Sequence, residues 1–162
     1  MLKIPRSLLQ QIIRHVQREL PWEGVGILAG KNGAVTRVYE LTNEDRQGYS
    51  YRVSREEEEE TAADLHRREL KMLGIYHSHV DAPAYPSHLD REAAQDPDLY
   101  HLIVSLAGRQ PAVRVYSIRY GHVSECALQI LEHCVAHEPK HPQPNREHAH
   151  RPTAAPGVEP DG

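Results

Sequence analysis

The chain has 162 residues, 39% of them hydrophobic, and a formal net charge of −4, values that suit one globular domain. This slightly acidic balance does not predict the clustered basic face that nucleic-acid binding requires. No apolar run approaches the ~20 residues that span a bilayer, and the N-terminus lacks the apolar stretch of a signal peptide. We therefore expect a cytoplasmic protein with no membrane partner. Its two cysteines, Cys126 and Cys134, are expected to be reduced thiols.

The first third of the chain predicts a helix followed by a hairpin. Residues 6–19 have helical spacing of apolar residues, and Pro21 ends the helix. Residues 24–30 and 34–41 are predicted strands, and the Asn32-Gly33 pair between them is a strong hairpin signal. The apolar positions that define the helix are Leu8, Leu9, Ile12, Ile13 and Val16.

The middle of the chain predicts alternating helices and strands. Ser54 can cap a second helix that runs to about Leu70, with an acidic and solvated first part at residues 56–60. The largely apolar run 71–76 predicts a buried strand, and residues 87–95 predict a short helix.

Three more strands are predicted near residues 100–106, 112–119 and 123–130, and a Tyr120-Gly121-His122 turn joins the last pair. The order of elements predicts an α/β domain over residues 1–136, built as a single mixed, curved sheet flanked by helices. Its strand order does not follow from the sequence. Residues 137–162 are rich in proline and histidine, so we expect a disordered tail that binds stray metal ions weakly at most.

The pattern that carries chemistry is His-x-His, seven further residues, and Ser-x-x-Asp. It supplies His77, His79, Ser87 and Asp90, and Glu23 stands upstream. Side chains at i and i+2 of a strand share a face, so the two histidines can converge on one ion. Two imidazoles and one carboxylate are the ligand set of an open catalytic zinc site, which leaves a fourth position for water. A further glutamate beside that water is the general base that metal-assisted hydrolysis needs.

Each half of this pattern also has a structural explanation. Two histidines near a strand end are often only polar surface, and Ser87 with Asp90 has the spacing of a helix capping box. The metal-site interpretation rests on the combination, because Pro83 and Pro86 interrupt the intervening loop and Glu23 follows a helix. Capping and metal binding are compatible, since a capped helix would hold Asp90 rigidly.

These residues resemble the signature of the JAMM/MPN+ metalloproteases, an upstream glutamate followed by H-x-H-x7-S-x-x-D. Small bacterial members that process sulfur-carrier proteins are more similar still. The resemblance covers roughly residues 1–130, and one departure is Val25, where relatives often have cysteine. The matching segments are Pro21–Gly30, Leu41–Asn43, Tyr51–Arg52, Ile75–His79, Ala84–Ser87 and His101–Ser105.

The resemblance implies a JAMM/MPN-like fold, similar to the cytidine-deaminase type of architecture, and a zinc-dependent hydrolase. It implies Zn²⁺ held by His77, His79 and Asp90, with Glu23 as the general base and Ser87 as a donor to the oxyanion. The implied substrate is a small, ubiquitin-like β-grasp sulfur carrier, cut after its C-terminal Gly-Gly to release cysteine. Such a tail would bind in an extended form.

Other functions stay open at the level of sequence. A deubiquitinase-like isopeptidase and a small peptidase without a carrier use the same chemistry. A non-catalytic MPN-type scaffold would only bind partners, although it would not need an intact Glu23, His77, His79 and Asp90. DNA-associated relatives with a similar His-x-His signature are less consistent with this chain, which lacks both their proline- and glycine-rich insert and a basic face.

Overall fold

The computed structural model describes residues 1–46 and 48–132. The predicted disorder of residues 137–162 therefore lies outside the described residues, as does the domain boundary at 136. No helix in the described part of the chain is long and apolar enough to cross a membrane. The elements are β1 Leu2–Pro5, α1 Arg6–Arg18, β2 Val25–Lys31, β3 Ala34–Leu41, α2 Arg55–Arg67, β4 Lys71–His79, α3 His88–Ala93, β5 Tyr100–Ser105, β6 Ala112–Arg119, β7 His122–Cys126 and β8 Leu128–Leu131.

Within the described residues, eight strands form one mixed sheet in the order β7-β6-β5-β4-β2-β3-β1-β8. The pairs β4–β5, β1–β3 and β1–β8 are parallel, and the remaining neighbours are antiparallel. A single mixed sheet with three helices confirms the predicted α/β class. The β2–β3 hairpin is also confirmed, because Asn32 (φ 53°) and Gly33 (φ 73°) both adopt the left-handed conformation that a tight hairpin turn requires.

The sheet must curve strongly, since its two edge strands follow each other in the chain. Only Ala127 separates β7 from β8, yet these strands lie at opposite ends of the strand order. One linking residue spans no more than about 7 Å between flanking Cα atoms, so the two edges of the sheet meet. The Ala127 carbonyl accepts a hydrogen bond from the Leu2 N–H at 3.0 Å at this junction.

This closure corrects two expectations from the sequence. The single strand predicted over residues 123–130 is two strands, because the chain leaves β6 at Cys126 and joins β1 at Leu128. The strand β1 was not predicted, since Leu2 and Ile4 are only two apolar positions and their strand is four residues long. The predicted second and third helices are real but shorter, ending at Arg67 and Ala93.

The helix α1 packs on one face of the curved sheet. Its apolar stripe, Leu9, Ile12 and Val16, joins a buried cluster with Leu28, Leu102 and other sheet residues. The opposite face carries a second cluster of Val25, Ile27 and Leu41, packed against Tyr51, Val53, Met72 and Ile75. Because strand side chains alternate between faces, His77 and His79 share the face of Ile75 and lie away from α1.

Candidate metal centre and active site

The two histidines lie at the end of β4, and strand pairing brings Glu23 beside them. Val25 of β2 is paired with His77, and the next pair continues as Gly24 with Ser78, since the Ser78 N–H donates to the Gly24 carbonyl at 2.9 Å. The Gly24 N–H in turn donates to Ser78 Oγ at 2.9 Å. Extending this antiparallel register by one residue places Glu23 opposite His79. The order of residues along two neighbouring strands therefore assembles three of the predicted site residues.

The fourth residue, Asp90, comes from the first turn of α3. Ser87 is the N-cap of this helix, and its Oγ accepts a hydrogen bond from the Asp90 N–H at 3.1 Å. The Asp90 Oδ2 accepts one from the Ser87 N–H at 2.7 Å, which completes a capping box. The structural interpretation of this pair is thus correct, and the box directs the Asp90 carboxylate toward the end of β4.

Potential ligand atoms of three residues converge at this point. His77 Nε2 and His79 Nε2 are 3.2 Å apart, His77 Nε2 lies 3.1 Å from Asp90 Oδ1, and His79 Nε2 lies 3.3 Å from Asp90 Oδ2. The ligands of a tetrahedral zinc ion, each about 2.0–2.1 Å from the metal, stand about 3.3 Å from one another. The spacing of the two histidine nitrogens matches this value, and each nitrogen lies at a similar distance from one of the two oxygens of Asp90. One ligand atom from each residue lies within 4.8 Å of the others, so the donor set suits a zinc ion in chemistry and is compact enough to hold one.

The surroundings favour metal ligation by these nitrogen atoms. His79 Nδ1 donates to the Pro83 carbonyl at 2.8 Å, so loss of the proton on Nε2, which faces Asp90 in the metal-free site, would leave that nitrogen free to bind a metal. His77 and His79 are buried. Burial raises the pKa of Asp90, but hydrogen bonds with His77 and His79 outweigh burial and hold that pKa well below its ordinary value. Asp90 is therefore an anion at neutral pH, as a metal ligand must be.

Glu23 has the opposite electrostatic character. Its side chain is buried, at 4% exposure, and burial raises its pKa from 4.5 to about 7. The proximity of His79 lowers that pKa, while the negative charges of Asp90 and Asp81 raise it. Two carboxylates at one site thus have widely separated pKa values, which is the arrangement that gives one of them acid–base work near neutral pH.

A small cavity adjoins the cluster. It measures about 80 Å³ and brings Glu23, His79 and Ser87 together with the segments 48–49 and 80–82. A second cavity of the same size lies beside Asp90 and is lined by Tyr49, Ser50, Tyr51, Leu89 and Ala93 as well. Tyr49 borders both cavities, and four of the five predicted site residues line one cavity or the other; the fifth, His77, is fully buried behind them.

Two residues of this centre have no predicted role from the sequence. The Tyr51 ring packs on His77 with a centroid distance of 5.2 Å, and burial together with Asp90 and Glu23 raises its pKa, so the phenol stays neutral. Asn43, which is also buried, donates a hydrogen bond to the Glu23 carbonyl. Both stand in segments that match the family resemblance, but neither belongs to the metal-binding pattern.

Residues 5–119 match the family described as prokaryotic homologs of the JAB domain. A CysO-cysteine peptidase from Mycobacterium tuberculosis is 32% identical over 136 residues, which covers 81% of this chain and 92% of that protein. A probable TtuB-protein conjugate cleaving protease from Thermus thermophilus is 38% identical over 95 residues, 58% of this chain and 64% of that protein. The solution structure of protein DSY2949 from Desulfitobacterium hafniense has a TM-score of 0.78 and 30% identity, covering 87% of this chain and all of that one.

Together, the fold, the cluster and these relatives define a hydrolase of the JAMM/MPN type. The match extends over most of the chain and includes every residue of the cluster. The chain belongs to the family of prokaryotic JAB-domain proteins, as the sequence pattern predicts.

Proposed function

We propose that this protein is a zinc-dependent peptidase that hydrolyses the amide bond after the C-terminal Gly-Gly of a small ubiquitin-like sulfur carrier and releases cysteine. The observation that carries the proposal is the convergence of His77, His79 and Asp90 at tetrahedral spacing beside a buried Glu23. The proposed compartment is the cytoplasm. A relative that is a CysO-cysteine peptidase supports the substrate class.

In this proposal His77, His79 and Asp90 hold the zinc ion. A zinc ion with three protein ligands lowers the pKa of a bound water toward ~7 and polarises a carbonyl. Glu23 accepts the proton of the attacking water and passes it to the leaving amine. Burial suits Glu23 to this double duty, because it raises the pKa of the carboxyl in the metal-free site and so makes the protonated form easier to reach.

Ser87 is proposed as a donor to the oxyanion of the tetrahedral intermediate. Its Oγ accepts the capping hydrogen bond from the Asp90 N–H, so its own hydroxyl hydrogen is free to point into the cavity that it lines with Glu23. A preorganised donor at this position commonly contributes ~2.7–4 kcal/mol. The capping box thus fixes a metal ligand and an oxyanion donor with the same pair of hydrogen bonds.

The narrow cavity supports a glycine tail. The cavity beside Glu23, His79 and Ser87 is small, at about 80 Å³, and glycine brings the chain close to such a site because it has no side chain. A carrier whose last glycine is changed to valine should therefore be cut far more slowly. The loss should fall on kcat, since displacement of the carbonyl by about 1 Å costs on the order of 100-fold in rate. Equal cleavage of both tails would contradict the carrier assignment and favour a general peptidase.

An isopeptidase is the second candidate, and one relative favours it, because its name describes cleavage of protein conjugates. The two functions differ in the leaving amine, which is the α-amine of cysteine or a lysine side chain. Mass spectrometry of the products from a carrier–cysteine adduct and a carrier–lysine conjugate, incubated in parallel, separates them. A protein that binds carriers and zinc but cuts neither substrate would be a scaffold.

The roles in the site are tested by a pair of variants. Glu23→Gln should retain about one zinc ion per chain and lose turnover, because the water loses its base while every ligand remains. Asp90→Ala should instead lose zinc. Near-normal rates in Glu23→Gln on a substrate that the wild-type protein cuts would remove the general-base role.

A further inference from the structure

Asn43 is a buried side chain two residues beyond the end of β3, and its amide makes four hydrogen bonds. Its Nδ2 donates to the Glu23 carbonyl at 2.9 Å and to the Ser50 carbonyl at 3.0 Å. Its Oδ1 accepts from the backbone N–H groups of Asp45 at 3.0 Å and Arg52 at 3.1 Å. The amide thus uses both of its donor hydrogens and both of its acceptor positions, the full capacity of an asparagine side chain.

These bonds join two parts of the active site. The bond to the Glu23 carbonyl holds the segment that enters β2, and the other three tie together the described parts of the loop 44–52, at Asp45, Ser50 and Arg52. That loop carries Tyr49, which borders both cavities, and Tyr51, whose ring lies on His77. One amide therefore links the main chain of Glu23 to the loop that forms part of the cleft wall.

We propose that Asn43 is a positioning residue that sets the place of the Glu23 carboxylate relative to the metal cluster, an inference that rests on the proposed peptidase function. Asn43 acts through the main chain of Glu23 and contacts no ligand of the cluster. An apolar side chain in its place would leave four backbone groups without this partner, including the buried Glu23 carbonyl. The rate should depend on the position of the Glu23 carboxylate, since a general base must lie within hydrogen-bond reach of the proton that it takes.

The main test variant is Asn43→Asp. A carboxylate keeps the acceptor positions for the Asp45 and Arg52 N–H groups but loses both donors, and it repels the carbonyl oxygens of Glu23 and Ser50. The bond to Glu23 is therefore broken while the loop keeps its acceptor. Asn43→Ser, which adds no charge and is too short to make all four bonds, is the second variant.

Two control variants separate positioning from other effects. Asp45→Ala removes the side-chain contacts that Asp45 makes with Arg52 and Ser50 inside the loop, and it leaves the Asn43–Glu23 bond intact. Tyr76→Phe removes a buried hydrogen bond of 2.8 Å to His15 on the opposite face of the sheet. The first control reports on loosening of the loop, and the second on loss of stability alone.

The chain provides its own probe of the Glu23 segment, because its only tryptophan is the neighbouring Trp22. Acrylamide quenching of Trp22 fluorescence should increase in Asn43→Asp and Asn43→Ser and stay at the wild-type level in both controls. With a carrier–cysteine adduct, kcat should fall by about tenfold or more in the two Asn43 variants while KM stays within about twofold. Zinc content should remain at about one ion per chain throughout.

Two results would overturn the inference: wild-type kcat and quenching in Asn43→Asp, or an equal fall in kcat in Tyr76→Phe. If Asn43→Asp does not fold, Asn43→Ser decides by the same criteria. If the wild-type protein cuts no carrier, the proposed function fails, and Trp22 quenching still decides whether Asn43 holds the Glu23 segment.

Discussion

Changing Glu23 to glutamine in the metal-free protein should stabilise the fold at pH 8 and leave it nearly unchanged at pH 4.5. The reason is the burial of Glu23, which raises its pKa from 4.5 to about 7 in the folded state. A glutamine of nearly equal size fills the same place and carries no charge to bury. Glu23, the candidate general base, is thus expected to lower the free energy of unfolding at pH 8.

The size and sign of the effect follow from proton linkage. Below pH 4.5 the carboxyl is protonated in both the folded and the unfolded state, so it contributes nothing. Between pH 4.5 and 7 the unfolded chain ionises first, and the free energy of unfolding falls as pH rises; above pH 7 the loss is complete. At ~1.36 kcal/mol per pKa unit, the loss at pH 8 is at most about 3 kcal/mol, or roughly 10 °C in melting temperature.

Thermal melts of metal-free wild-type and Glu23→Gln protein, followed by circular dichroism at pH 4.5 and pH 8, measure this difference. Glu60→Gln on α2 is the matched control, because Glu60 is exposed and should give no gain at either pH. A gain for Glu23→Gln that is equal at the two pH values, or no gain at pH 8, would refute the assignment of a raised pKa to Glu23.

Three further predictions concern activity, metal binding and packing. The kcat/KM of the zinc-loaded wild-type enzyme should fall at acid pH, because Glu23 becomes protonated, and the fall should begin below the pKa of about 7 that Glu23 has in the metal-free site, since the charge of the ion favours the carboxylate; a flat profile from pH 4.5 to 8 would contradict this. The double variant His77→Ala, His79→Ala should bind no zinc, whereas a variant that lacks residues 137–162 should still bind it. Native mass spectrometry measures the zinc content of both proteins, and the reverse pattern would exclude this site. Gly26→Ala should lower the free energy of unfolding by more than ~3 kcal/mol in denaturant titration, since its Cβ would lie 2.2 Å from a carbonyl oxygen. Gly108→Ala, with 3.4 Å of space, should be nearly neutral.

Short-range patterns predicted the elements of the site because they depend on backbone geometry within a few residues. The two-residue period of a strand places His77 and His79 on one face, and Ser-x-x-Asp sets the capping box that directs Asp90. The Asn32-Gly33 pair specifies its hairpin in the same way. Glu23 was predicted as the general base that such a metal site needs, and its place opposite His79 came from strand register.

By itself the sequence determined the class of fold, the family and the chemical groups of the candidate site, since each of these depends on local periodicity and residue type. Only the tertiary structure decided how the sheet curves until β7 and β8 meet, and how Asn43 joins Glu23 to the loop 44–52. It also decided which carboxylate is held ionised and which has the raised pKa. These features depend on contacts between residues far apart in the chain and on burial, and a linear pattern does not contain the desolvation that burial imposes.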